Sequence, residues 1–275
     1  MKYDPVKDRL AAMARGRPRV RRALYAGLDL VFLRNWHVRR ELRRLVRSLP
    51  ASAGRMVQVL DAGTGFGQYA YRLARMRDDL YVTAVDVKAD YLEDARSFFA
   101  AAGLADRADF LEEDLTKLGL DGPFDVVLSV DVMEHIEDDV AVFRHFHRVL
   151  RAGGHVVINT PSDLGGSAVR SESDESFIEE HVRDGYSARE LAEKLTGAGL
   201  QVISTRYTYG RFGTVAWHLL VKYPMLMLSA SKLLSLVLPA YYVLVLPAGI
   251  VLNALDVAVE NARGTGLLVV ARRPT

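Results

Sequence analysis

The stretch VLDAGTGFGQYA, residues 59–70, limits the possible folds of this chain more than any other. The apolar run MVQVL ends at Asp61, and glycines follow at 63, 65 and 67. Alternating glycines are poor in a helix or a strand interior, but they let a backbone turn sharply with no Cβ in the way. The sequence after them is helix-forming. A helix starting there offers free N–H groups to a ligand. Strand, glycine loop and helix in that order open a βαβ unit.

The pattern continues downstream. Short apolar runs stand at 56–61, 80–86, 108–114, 124–130 and 155–160, and most are followed by helical periodicity. Strands that alternate with helices imply a parallel sheet covered on both faces, an α/β fold. Residues 161–186 are polar and rich in Gly, Ser and Glu and read as a long loop. SARELAEKLTGAGL (187–200) reads as a helix with a Ser N-cap. QVISTRYTYG (201–210) and TGLLVVARRP (265–274) alternate as strands do.

The 275 residues are half hydrophobic, enough for a sizeable core, and include no cysteine. Disulfides and thiolate metal sites are therefore excluded. The first residues, MKYDPVKDRL, lack the apolar run of a signal peptide, so nothing suggests export. Charge is unevenly spread. Residues 1–48 carry fourteen Lys and Arg against four Asp and Glu, although the whole chain is only +2. Residues 6–48 look helical, interrupted near Gly16–Pro18. Such a segment is either a basic arm for an anionic surface or a solvated helical face.

Spacing separates two kinds of cofactor. The dinucleotide fingerprint G-x-G-x-x-G needs glycine where Gln68 stands. The second strand ends in Asp86, whose carboxylate can accept two hydrogen bonds from a ribose diol. Both cofactor types carry that diol, so Asp86 alone does not discriminate.

These motifs resemble the class I S-adenosylmethionine-dependent methyltransferases. The likeness continues through Glu113-Asp114, FDVVLSVDVMEHIEDD (124–139) and RVLRAGGHVVINTP (148–161). It covers about residues 55–210 and resumes at 265–274. The resemblance implies a Rossmann-like sheet of seven strands, mostly parallel with an antiparallel edge strand. It also implies a division into a basic helical segment (1–50), a cofactor-binding core (51–210), an apolar helical insertion (211–264) and a final strand (265–275). The implied cofactor is S-adenosylmethionine, held by Asp61, Gly63, Thr64, Gly65, Gly67, Asp86, Val87, Asp114, Leu115 and Ser129. The acidic position at Glu113-Asp114 would meet the adenine amino group.

Within the superfamily the chain resembles the type-11 group, which includes the ubiquinone-biosynthesis O-methyltransferases. The residues that carry this are Asp131, Glu134 and His135, with Asp131 where several relatives have Glu. Three readings stand. His135, with Glu134, serves as a general base for an acceptor hydroxyl. Alternatively, Asp131, Glu134 and His135 hold a divalent cation. In the third, the acids cap the next helix and His135 shapes the pocket. His181, Arg183 and Tyr186 resemble a segment beside the substrate, and His181 joins the catalytic candidates; surface exposure is the alternative for each. Tyr207, Tyr209 and Phe212 are candidates to stack on a ring, or else core. His37, His145, His147, His155 and His218 read as structural.

Residues 233–255 are 23 consecutive residues without a charge, long enough to span a bilayer. The strands on either side must pair, so the segment between them crosses zero or two times. Lys222, Pro224, Pro239 and Pro247 argue against two crossings and for broken helices. The expectation is a set of helices in the membrane interface above the active site, helped by the basic N-terminal segment. The function expected is methyl transfer to a hydrophobic, lipid-like or polyprenyl acceptor, with O-methylation ahead of C-methylation. The site would be cytoplasmic and peripheral on the inner membrane face. The alternatives are a non-catalytic cofactor-binding scaffold, a methyltransferase of a soluble small molecule and, more weakly, one acting on nucleic acid.

Overall fold

Seven strands form one sheet in the order β3-β2-β1-β4-β5-β7-β6. They are β1 (Val57–Ala62), β2 (Leu80–Asp86), β3 (Ala108–Glu112), β4 (Phe124–Val130), β5 (Leu150–Pro161), β6 (Gln201–Thr208) and β7 (Gly266–Arg272). The structure is a computed structural model that describes residues 13–49, 55–165, 182–231, 234 and 236–275. β1 to β5 pair in parallel, and β7 runs antiparallel between β5 and β6. β4 is buried on both faces along most of its length, which explains why VVLSV reads as a continuous run and not as an alternation. β5 starts earlier than the sequence suggested. It takes in the Gly153–Gly154 turn, where Gly153 adopts φ +79° and the register against β4 shifts.

The helices that cover the sheet are α1 (Pro18–Val31), α2 (Leu33–Ser48), α3 (Gln68–Ala74), α4 (Ala89–Ala101), α5 (Asp139–Val149) and α6 (Ala188–Gly197). Ser187 caps α6, accepting from the Glu190 N–H at 3.0 Å. From residue 13 on, the basic segment packs on the core. Val38, Leu42, Leu45 and Val46 recur at helical spacing on α2 and join one core cluster with Val57, Val59 and Leu73. Four of its arginines, Arg40, Arg43, Arg44 and Arg47, are exposed on the other face.

The insertion between β6 and β7 is a helical hairpin. Its first arm is α7 (Arg211–Trp217), a π-helical stretch (His218–Lys222) and α8 (Tyr223–Ala230), which follow one another without leaving helical conformation. Its second arm is α9 (Leu238–Ala258). Pro224 causes the π stretch by a simple argument. It has no N–H for the Leu220 carbonyl one turn back, and its ring crowds that carbonyl. The tyrosines of α9 compensate: Tyr242 Oη donates to Leu220 O at 2.8 Å and Tyr241 Oη to Leu219 O at 2.7 Å.

The two prolines of the second arm behave otherwise than expected. Pro239 occupies the first turn of α9, where its missing N–H costs nothing, and Pro247 lies inside an unbroken helix. The break falls between α8 and α9. With 21 residues α9 is about 31 Å long. Among the described residues it is the one helix long and apolar enough to cross a membrane, and only 11% of its apolar window is buried. A single crossing is excluded by register: Thr208, the last residue of β6, pairs directly with Gly266, the first of β7.

Candidate cofactor and acceptor site

The carboxyl ends of β1, β2, β4 and β5 converge on the glycine loop, where ligands bind in open α/β sheets. Gly63, Gly65 and Gly67 all take positive φ, between +55° and +83°. At Gly63 the need is steric as well, since a Cβ would fall 2.3 Å from Val132 Cγ2. At Gly65 a Cβ would meet nothing within 4 Å, so its side of the loop faces open space. The Gly63 and Thr64 N–H groups both donate to Val85 O at 2.9 Å, which ties the loop to β2.

Two carboxylates frame the loop. Asp61 is buried and accepts from Thr64 Oγ1 at 2.6 Å. Burial pushes its carboxyl up to about 7, against the Thr64 hydroxyl and the Ala70 backbone, which favour its charge. Asp86 Oδ2 accepts from Gly65 N at 2.7 Å and Oδ1 from Lys88 N at 3.1 Å. A carboxylate has about four lone-pair positions, so two remain for a ligand's hydroxyls. Ser129, at the end of β4, is fully buried, and its Oγ has no partner among the described residues. Open space at Gly65, spare acceptor capacity on Asp86 and this orphaned hydroxyl fit S-adenosylmethionine, an adenosine with a ribose diol.

The remaining cofactor candidates are placed as follows. Asp114 Oδ1 accepts from Thr116 N at 2.9 Å and Thr116 Oγ1 at 2.7 Å, and these two bonds hold its carboxyl below the usual range. It caps a short 3₁₀ turn that also carries buried Leu115. Glu113 Oε2 accepts from Gly119 N at 3.1 Å. Val87, next to Asp86, is an exposed apolar side chain.

His135 closes a 3₁₀ turn, Met133–His135, directly after β4, and is half-buried. Glu134 is buried and accepts from Thr160 Oγ1 at 3.0 Å. Asp131 has φ +52°. It is ion-paired to Arg34 of α2 and accepts from Asn159 Nδ2 at 2.9 Å. The cation reading is therefore corrected. Among the described residues no three His, Cys, Asp or Glu gather as a metal site, because Arg34 takes Asp131 and Thr160 takes Glu134.

A second correction concerns Arg183 and Tyr186, which brace the β4 loop and do not face an acceptor. Tyr186 is fully buried and its Oη donates to Asp139 Oδ2 at 2.6 Å. Arg183 pairs with Asp139 and donates to Ile136 O at 2.8 Å. Burial opposes the charge on Asp139, but Lys194, Tyr186 and Arg183 outweigh it and hold its carboxyl below the usual range. His181 lies outside the described residues. Three other histidines are tied structurally: His37 to Asp256, His145 to Thr116 O and His218 to Thr214 O.

Several neighbours of the site, Tyr209 excepted, were not anticipated. Arg34 N donates to Tyr209 Oη at 3.2 Å, and Tyr69 Oη donates to Asn35 Oδ1. Burial pushes the Tyr209 hydroxyl up to about 12, although Arg34 pulls it down. On α1, Arg21 Nη2 donates to the Phe66 carbonyl of the glycine loop at 2.6 Å, and Tyr25 Oη donates to the same oxygen. The N-terminal helices thus hold the loop from outside. Tyr209 was a candidate from the sequence, as ring partner or core, and Asn159 left a signal as a polar residue within the apolar run HVVINT.

A family profile described as "Methyltransferase domain" matches residues 59–154. The ubiquinone biosynthesis O-methyltransferase of Xanthomonas euvesicatoria pv. vesicatoria is 28% identical over 154 residues, 53% of this chain and 63% of that protein. Methyltransferase GfsG of Streptomyces halstedii is 37% identical over 120 residues, 43% of this chain and 42% of that one. The chain thus spans less than two thirds of these curated relatives. Among solved structures, phosphoethanolamine N-methyltransferase 2 of Haemonchus contortus, in complex with S-adenosyl-L-methionine, superposes with a TM-score of 0.59. The identity is 22%, covering 86% of this chain and 53% of that one. The [4+2]-cyclase SpnF gives 0.54 at 20% identity, covering 86% and 81%. At these identities the likeness is one of fold. Residues 59–154 thus match a methyltransferase domain in sequence, and the chain resembles S-adenosylmethionine-dependent methyltransferases in fold.

Proposed function

We propose that the protein methylates a hydroxyl of a hydrophobic, lipid-like acceptor at a membrane surface. S-adenosylmethionine, when bound, supplies an electrophilic methyl group. The chain's own residues bind it, align the acceptor and exclude water. Asp86 would hold the ribose diol, Asp114 the adenine, and the glycine loop would lie against the cofactor. His135 would take the acceptor's proton, and Glu134, fixed by Thr160, would position the turn that carries it.

One observation carries the lipid-like part of this reading. The hairpin beside the site exposes apolar side chains along its length, among them Leu226, Leu228, Leu236, Val243, Leu244 and Val251, with Val243 at 76% and Leu244 at 79%. Exposed apolar surface of this extent is unusual on a protein with no partner for it. The α2 arginines beside the hairpin base favour an anionic membrane, at about 1 kcal/mol per cation near the surface.

The test is incubation with methyl-labelled S-adenosylmethionine and total membrane lipid extract, followed by identification of the labelled product. His135→Ala should lower turnover by about 10²-fold or more with cofactor binding kept. A variant with residues 212–260 replaced by a Gly/Ser linker should lose liposome flotation and keep cofactor binding. Absence of labelled lipid overturns the acceptor class, and undiminished flotation overturns the role of the hairpin.

A further inference from the structure

A cavity of about 480 Å³ lies on the outer side of α3, walled by α1, α2 and α3. Its lining includes Arg22, Arg43, Arg47, Arg72, Arg75 and Arg77, with Asp29 as the acid among them. Such crowding of like charge works against folding unless something offsets it. The chain offsets part. Asp29 pairs with Arg72, Arg77 pairs with Asp79, and Arg75 lies over the Tyr71 ring. Arg22, Arg43 and Arg47 make no ion pair or hydrogen bond among the described residues, and all three are exposed. Inside, Arg72 is partly buried, and its Nε is buried with no partner. Burial lowers the pKa of Arg72, a cost that an anion alongside would relieve.

We propose that this cavity binds a phosphate-bearing ligand. The guanidinium fork matches phosphate oxygens in pairs, and several forks around one concavity suit a dianion better than a carboxylate. The volume lies in the range of small-molecule sites. It is a single half-open cavity between three helices, of a size that suits a headgroup-sized ligand.

The position of the cavity points to where the ligand comes from. The first turns of α2 hold the hairpin, through Leu33 against Gly213, His37 on Asp256 and Arg40 on the Val257 carbonyl. Arg43 and Arg47 follow on the same helix, about 5 and 10 Å beyond Arg40. A lipid headgroup would meet the cavity next to the hairpin base. A free phosphomonoester has the same chemistry, and the two sources are separable. The site itself does not depend on the methyl-transfer reading.

The experiment uses the full chain in two arms. One is calorimetry with glycerol 3-phosphate. The other is co-sedimentation with phosphatidylcholine vesicles, with and without phosphatidylglycerol. Saturable binding in the first arm identifies a soluble phosphomonoester. A gain from phosphatidylglycerol without soluble binding identifies the headgroup. In either case Arg22→Gln/Arg43→Gln/Arg47→Gln should weaken binding by tenfold or more and leave S-adenosylhomocysteine binding and the melting curve unchanged. A control with the same loss of charge elsewhere, Arg144→Gln/Arg189→Gln/Arg263→Gln, should bind as the parent does. Three outcomes overturn the proposal: neither probe binds, both triple variants lose binding equally, or only an oligonucleotide binds through the three arginines.

Discussion

His37 Nε2 and Asp256 Oδ1 meet 3.0 Å apart across 219 positions of sequence. Asp256 is fully buried, and its carboxylate also accepts from Gly213 N at 2.9 Å and Asn261 Nδ2 at 3.2 Å. One side chain thus joins α2, both arms of the hairpin and the segment leading to β7. Asp256→Ala removes the acceptor from three donors at once. The expected loss is about 3 kcal/mol, read from urea unfolding midpoints, because removing one partner strands the others in a dry interior. An unchanged midpoint would show that the hub is not structural.

Tyr242 stands in for a backbone amide. Its hydroxyl serves the Leu220 carbonyl that Pro224 cannot. Tyr242→Phe should cost about 1 kcal/mol in the parent. With Pro224→Ala, which restores an N–H at that position, the same change should cost clearly less. A double-mutant cycle with no coupling between the two would refute the substitution of hydroxyl for amide.

Asp86→Ala should weaken S-adenosylhomocysteine binding. It removes the proposed ribose contacts and frees the Gly65 amide that Asp86 fixes at 2.7 Å. A hydrogen bond to a charged group contributes about 1.5–3 kcal/mol, so the expected change is roughly tenfold or more by calorimetry. Equal affinity in the variant would remove Asp86 from the cofactor site.

Asp61 predicts a pH dependence of stability. Its carboxyl is raised from an ordinary 3.8 to about 7 in the folded protein, chiefly by burial. Between these values the folded state holds a proton that the unfolded state has lost. Its contribution to stability is therefore complete below the ordinary value and is lost as pH rises toward 7. Asp61→Asn carries no such proton. Its urea midpoint should fall less steeply than the parent's from pH 4 to 7. Parallel profiles would mean that Asp61 titrates normally.

The sheet and the glycine loop were legible in the sequence because they rest on local rules. Period, turn chemistry and the positive φ of Gly63, Gly65 and Gly67 all lie within one βαβ unit. Asp61 and Asp86 were legible for the same reason. Arg34 was not, since its partner Asp131 lies 97 positions away and α2 gives no local sign of facing a sheet end. Tyr186 was misread because tertiary packing buried it on Asp139, 47 positions earlier. Pro247 was misread as a helix breaker because the proline rule describes a solvated helix. In α9 the proline removes a single hydrogen bond, and the turns on either side of it keep the 21-residue helix continuous.

The pairing of Thr208 with Gly266 also has a mechanical consequence. The hairpin leaves and rejoins the sheet at one rung, so a pull on it reaches β6 and β7 at the same end. That is peeling geometry, in which hydrogen bonds yield singly and not together as they would in shear. The ties of Asp256 and of Asn261, whose Nδ2 also donates to Tyr207 O at 3.3 Å, stand in front of that rung and take the load first. A load on the hairpin therefore passes first through Asp256 to α2, whose Arg34 holds Asp131 beside the site, while β1, which carries the glycine loop, lies three ladders from β7 across the sheet.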